Sequence, residues 1–185
     1  MRYKPEQKEQ TRQRIVVAAS RSFKKSGYSG IGVDGLAKEA GVTSGAFYGH
    51  FSSKHEAFKE AIISGMDELL LAIAHMKVTH GDQWWQAFAE FYTSQKRTCD
   101  LVESCPLQSL TPEVARSDED IRATFESHLL KITELATNQH DRNKTWAALA
   151  MLTGGVTLAR AVKDAALSDE IATAIKDQVI AMYPH

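Results

Sequence analysis

Hydrophobic residues recur every three or four positions through most of the 185-residue chain, and only 4 prolines interrupt them, so the pattern predicts an all-α fold. A first helix is expected over Gln10–Ser26, with Ile15, Ala19, Ser22 and Phe23 inward, Gly27 as its stop and Tyr28 beneath the turn. Val33, Leu36, Ala37 and Ala40 give a second, short helix one apolar face. Gly41 follows where a left-handed stop needs a residue without a Cβ, Val42 plugs the corner, and Thr43 is a good N-cap for a third helix. A fourth helix starts after the N-cap Ser53 and runs from Lys54 to about His75, burying Phe58, Ile62, Met66, Leu69, Leu70 and Ile73. Lys77–Gly81 is expected as a loop, with Asp82 capping an aromatic helix. Cys105 then caps a short helix that has Pro106 at its first position, and Thr111-Pro112 breaks and restarts it. Ser117 caps a helix through Thr137 with Ile121, Phe125, His128, Leu129 and Ile132 inward, and Asn138–Asp141 is a loop. Arg142–Lys163 and a final helix capped by Ser168, burying Ile171, Ala174, Ile175, Val179 and Met182, complete the chain.

The third helix separates by face. Phe47 and Phe51 point one way, while Ser44, Gly45, Tyr48 and Gly49 make the other face slim, uncharged and flat apart from one phenol. Two short helices, a tight glycine turn and such a face form a helix-turn-helix, whose second helix fits the major groove of DNA. Charge agrees: residues 1–60 hold eleven Lys/Arg against six Asp/Glu, and the remainder eleven against seventeen. A basic first third suits a polyanion, and the acidic remainder avoids one. Arg2, Lys4 and Lys8 either reach phosphates or form a solvated arm.

The run Gly41–Phe58, GVTSGAFYGHFSSKHEAF, resembles the DNA-binding signature of TetR-type (TetR/AcrR) transcriptional regulators, and the resemblance extends back through Val33–Ala40 into the helix before it. It implies a three-helix DNA-binding domain over residues 1–53 and a helical effector-binding and dimerisation domain over 54–185. It also implies that Ser44 and Gly45 meet base edges and that Tyr48 meets a phosphate or a thymine methyl. His50 and Lys54 are implied to contact phosphates, with Val33, Thr43 and Gly49 completing the surface. The threonines that relatives often carry near Gly32 and Val33 are missing, which leaves backbone N–H groups for a phosphate there. Asp34 reads as a cap or as an acceptor for a cytosine amino group. His50 is also open to a semi-buried structural role.

In the second part, Trp84, Phe88, Phe91 and Tyr92 share a face with Gln95, which is either core or one wall of a ligand cavity. Met66, Trp85, Phe88, Phe91, Tyr92, Cys105, Phe125, His128, Leu129 and Met151 are the residues expected to line such a cavity. Cys105 at a helix start is either a small buried residue or a reactive thiol for redox or electrophile sensing. The resemblance implies that the last two long helices pair with their copies in a homodimer, through Trp146, Leu149, Thr153, Val156, Ile171 and Ile175.

Other classes fit poorly. The 7 histidines are scattered without an HExxH pair, the 2 cysteines lack zinc spacing, and no glycine-rich phosphate loop or GxSxG elbow occurs, so no metal, cofactor or catalysis is expected. MRYKPEQKEQTRQR has no apolar signal-peptide core, and Trp146–Ala159 is too short and too interrupted to span a bilayer, so a cytoplasmic protein is expected. The expected partners are a palindromic duplex operator, a small-molecule effector and a second copy, with the protein acting as a repressor.

Overall fold

The structure is a computed structural model that describes residues 5–137 and 141–184. Arg2 and Lys4, and the Asn138–His140 part of the expected loop, lie outside the described residues. Among the described residues every regular element is helical. The main helices are α1 (Pro5–Ser26), α2 (Val33–Glu39), α3 (Ser44–Tyr48), α4 (Lys54–His80) and α5 (Trp84–Thr93). Short helices α6 (Gln95–Thr98), α7 (Pro106–Ser109) and α8 (Thr111–Ala115) lead to α9 (Glu119–Thr137), α10 (Arg142–Ala161) and α11 (Ala165–Met182). Single 3₁₀ turns occupy Gly81–Gln83 and Leu101–Glu103.

One continuous core runs through these helices. At its start Phe23, Tyr28 and Phe58 meet ring to ring, with centroids 5.0 Å apart for Phe23–Phe58 and 4.9 Å for Tyr28–Phe58. Ile15, Ala19, Leu36, Phe47 and Phe51 close the same cluster, each at most 1% exposed. Burying each large apolar side chain contributes about 1.5–3 kcal/mol. Helix α4 belongs to both ends of the molecule: it packs on α1, with Phe58 against Phe23, and on α5, α7 and α9, and it buries Ala57, Ala61, Met66, Leu69 and Ile73. Gly65 allows α7 to cross closely, because a Cβ there would lie 3.2 Å from Pro106. Tyr183 stacks flat on Trp85 at 4.6 Å and closes the end of the core where α11 meets α5.

Several boundaries differ from the sequence expectation for local reasons. Helix α1 begins at Pro5 rather than Gln10. Helix α4 continues through the expected Lys77–Gly81 loop to His80, where Gly81, at φ 53°, ends it. Lys77 holds that extra turn by donating to the Leu135 carbonyl at 2.6 Å and lying over the Trp84 ring. Asp82 therefore sits inside a 3₁₀ turn and caps nothing. Ser117 is not the cap of α9, because its hydroxyl donates back to Glu113 O; Asp118 accepts from Ile121 N instead. Ser168 is likewise occupied, donating to Ala159 O and accepting from Arg97, so Asp164 caps α11. Asp141 caps α10, which stops at Ala161 where Val162 turns extended.

Candidate nucleic-acid interface

The turn between α2 and α3 forms as its residues require. Gly41 takes φ +65°, a conformation that side chains disfavour, and Val42 N donates to Ala37 O at 2.9 Å. Thr43 Oγ1 accepts from Ala46 N at 3.1 Å and so caps α3. Phe47 and Phe51 anchor α3 from beneath, at 0% and 1% exposure, with ring centroids 5.6 Å apart. Tyr48 projects outward at 57% exposure. Gly45 is exposed, and a Cβ built there meets nothing closer than Thr43 Oγ1 at 3.9 Å, so the fold itself does not require a glycine. A helical glycine costs about 0.5–1 kcal/mol relative to alanine, and the open space it leaves faces outward. Val33 is half-buried at the start of α2, and Gly49 is the exposed C-cap of α3.

Two polar links around this surface were not foreseen. Ser44 Oγ–H donates to Asp34 Oδ1 at 2.5 Å, joining the first turns of α2 and α3; the N-cap of α2 is Gly32, so Asp34 is not a cap. The second adds to the expected Ser53 cap, whose Oγ accepts from Glu56 N: Glu56 Oε2 accepts in return from both Ser52 N and Ser52 Oγ at 2.7 Å, at the head of α4. The Ser-x-x-Glu spacing of Ser53 and Glu56 was the available signal for the second. The first needed the interhelical angle. The Ser52 bonds hold the Glu56 carboxyl below the usual carboxylate range.

The two basic candidates behave differently from each other. His50 has a half-buried ring with a buried Nδ1 lacking a hydrogen-bond partner, and burial, followed by Lys8 and Arg12, lowers its pKa. Lys54 donates its ammonium to the carbonyls of Tyr28 and Ile31 at 3.0 and 3.3 Å, so it clasps the α1–α2 connection. An open groove of about 1420 Å³ runs beside the turn, between the outer face of α1 (Lys8, Thr11, Arg14, Arg21) and Gly41–Thr43.

Exposed ion pairs and a histidine–carboxylate contact join this end of the molecule to the rest. Arg21 reaches Glu103 at 3.0 Å, His55 Nε2 lies 2.7 Å from Asp118 Oδ2, and Lys59 reaches Asp120 at 2.6 Å.

The residues expected around a cavity are largely core. Met66, Trp85, Phe88, Tyr92 and Cys105 are at most 3% exposed. Phe125, Leu129 and Met151 are half-buried against them, and His128 Nδ1 lies 2.8 Å from Thr124 O. Phe91 departs from the expected face: it is half-buried beneath Lys96, 5.8 Å from its ring centre, and Gln95 is exposed on α6. The Tyr92 hydroxyl faces Cys105 and Thr153. Cys105 does stand at the N-cap of α7 ahead of Pro106, and burial pushes its thiol pKa up despite Tyr92 and the helix amides, which agrees with the reading of a small buried residue. Among the described residues no group of three or more His, Cys, Asp or Glu is placed to hold a metal, and no helix is long and apolar enough to cross a membrane.

On the last two helices, Leu149 and Val156 are buried within the chain at 5% and 0%, so neither is available to a second copy. Ile175 packs where a Cβ on Gly155 would be, and Trp146, Thr153 and Ile171 are half-buried. Among the residues that α10 leaves exposed are Gly154, which has no neighbour within 4 Å of a built Cβ, and Leu158 at 62% exposure.

Residues 15–61 match the family model described as bacterial regulatory proteins, tetR family. The HTH-type transcriptional regulator LmrA of Bacillus subtilis is 25% identical over 180 residues, covering 90% of this chain and 95% of LmrA. The regulator SrpR of Pseudomonas putida is 43% identical over 63 residues, which are 34% of this chain and 30% of SrpR. Two solved structures share the fold. Reduced Escherichia coli NemR has a TM-score of 0.80 at 17% identity, covering 95% of this chain and all of that one (100%). A TetR transcriptional regulator from Chloroflexus aurantiacus has a TM-score of 0.75 at 20% identity, covering 95% and 96%. Residues 15–61 thus carry a helix-turn-helix domain of the tetR family of bacterial regulatory proteins, and along its length the chain shares the fold of TetR-type regulators.

Proposed function

We propose that this regulator is a cytoplasmic, effector-responsive repressor without catalytic activity, which binds a palindromic operator as a homodimer. In this reading residues 1–53 form the DNA-reading head, and 54–185 form the body that binds the effector and the second copy. The observation that carries it is the outward face of α3: Ser44, Gly45, Tyr48 and Gly49 are uncharged and slim, and Gly45 leaves room that the fold does not need. Such a face enters the major groove, while Tyr48 and His50 contact phosphates at its edges. Lys54 acts beside them, holding the α1–α2 connection at the angle the groove requires.

The exposed Gly154 and Leu158 of α10 support a close helix contact with a second copy, which would place two heads about one DNA turn, ~34 Å, or a small multiple of it, apart. An effector that binds more tightly to a form with mis-spaced heads would shift the population away from DNA. Helix α4 packs at both ends of the continuous core and would transmit that change. Burial of Cys105 favours a non-covalent effector over thiol chemistry.

The test is fluorescence anisotropy on duplexes selected from a random pool, at several salt concentrations, with sedimentation of the free protein. A dimer whose affinity falls steeply with salt is expected, since several phosphate contacts release several counterions. A strict monomer indifferent to every duplex in dilute buffer defeats the proposal.

A further inference from the structure

We infer that Asp34 and Ser44 form a single acceptor-only reader that selects a cytosine in each half-site; this rests on α3 lying in the major groove. Ser44 Oγ–H donates to Asp34 Oδ1 at 2.5 Å. A hydroxyl has one proton, and here it is spent on the carboxylate. What the pair turns outward is therefore lone pairs: the remaining ones on Ser44 Oγ and those of the carboxylate. Asp34 is exposed at the surface, and Ser44 is the first residue of α3.

The surroundings sharpen this. Gly41–Tyr48 contains no Arg or Lys, so neither the turn nor α3 supplies the bidentate cation that reads guanine O6 and N7. The charged side chain tied to the start of α3 is the carboxylate. In the major groove guanine presents two acceptors and thymine an O4 acceptor, and both repel it. Adenine offers its N6 amino group beside an N7 acceptor, which also opposes a carboxylate. Cytosine offers an N4 amino group with no acceptor of its own on that edge, and suits the pair best. A carboxylate near phosphates also lowers affinity for every duplex. Keeping one there is consistent with a role in discrimination rather than in general attachment.

Selection from a random duplex pool, run on the wild type, Asp34→Asn and Ser44→Ala, tests this. The wild type is expected to enrich one C·G pair per half-site, and Asp34→Asn to lose that preference on the order of tenfold to a hundredfold at that position alone. Its affinity for unselected duplex should rise, because a negative charge has gone. Ser44→Ala keeps the carboxylate but frees it, and should blur the same single position. Thermal melts of each variant confirm that it is folded. The proposal is overturned if both variants keep the wild-type base profile and change affinity by one common factor, which would make the pair a brace between α2 and α3. It is also overturned if the wild type enriches no cytosine at any position. If the wild type binds no duplex at all, the DNA reading itself fails, which is a distinct result.

Discussion

The Lys54 ammonium donates to the Tyr28 carbonyl at 3.0 Å and sits 4.2 Å above the centre of the ring of the same residue. Together with its bond to Ile31 O, this makes one side chain the clasp between the start of α4 and the connection from α1 to α2. Lys54→Ala leaves two part-buried carbonyls without their charged donor and removes a cation–π contact. A stability loss of about 1–3 kcal/mol is expected from such bonds. Denaturant melts measure it. DNA affinity should fall by the same factor on all duplexes, since the clasp sets the angle of the head and reads no base. A variant of unchanged stability with weakened DNA binding would show that the ammonium serves phosphates instead.

Adjacent glycines on α10 face opposite fates. A Cβ on Gly155 would lie 1.7 Å from Ile175 Cδ1 and 2.9 Å from its Cγ1, so Gly155→Ala must displace a side chain that locks α10 to α11. Overpacking of this kind costs typically about 1–3 kcal/mol. At Gly154 nothing lies within 4 Å, and Gly154→Ala should raise the melting temperature of the isolated chain through helix propensity, worth about 0.5–1 kcal/mol. If a second copy covers that face, the same alanine, and more strongly Leu158→Arg, should push the sedimentation profile from dimer towards monomer. A profile unmoved by Leu158→Arg would place any self-association on another surface.

The head was the most legible part of the sequence because its signals are local. Gly41, Thr43 and Phe47 each act within one turn of their own position, and each does what its residue type suggests. Capping was less legible wherever two candidates stood close together. Ser117 and Asp118 are adjacent, and the choice between them depended on Glu113 O being near enough to engage the serine. Ser168 lost its capping role to Asp164 because Ala159 O and Arg97 claimed its hydroxyl from across the fold. The outward face of α10 was misjudged for a similar reason. Leu149 and Val156 have the apolar character of an interface, but α5, α7, α9 and α11 pack around α10 and bury them within the chain. The Asp34–Ser44 bond spans ten positions and two helices, which no periodicity reveals.

The two thiols should separate under a modifying reagent. Cys105 is 3% exposed, and burial raises its pKa, whereas Cys99 is half-buried, with its thiol against Lys96 O and near Arg160. Only the thiolate attacks, so Cys105 should stay unreactive towards iodoacetamide near neutral pH in the folded protein. Titration should count one reactive thiol in native protein and two after denaturation. Cys105→Ser should leave the response to a non-covalent effector in place. Rapid alkylation of Cys105 in the native state, with loss of DNA binding, would instead favour the thiol-sensing alternative.

Acid should remove the contribution of the cap at the head of α4. Glu56 accepts two hydrogen bonds from Ser52, and they lower its pKa relative to an unfolded carboxylate at about 4.3. A depressed folded pKa means that the unfolded chain binds the proton more readily. The stabilisation is therefore complete above the unfolded value and is lost as pH falls through the folded one. Glu56→Gln should thus melt below the wild type at pH 7, with the gap closing below about pH 4 as the wild-type carboxyl protonates. The group lies at the surface, so salt will narrow the gap as well. Melting curves of both proteins across that range, at low and high ionic strength, measure the effect. A gap that stays constant from pH 7 to pH 3 would mean that the amide fails sterically, and that the charge of Glu56 does not hold the first turn of α4.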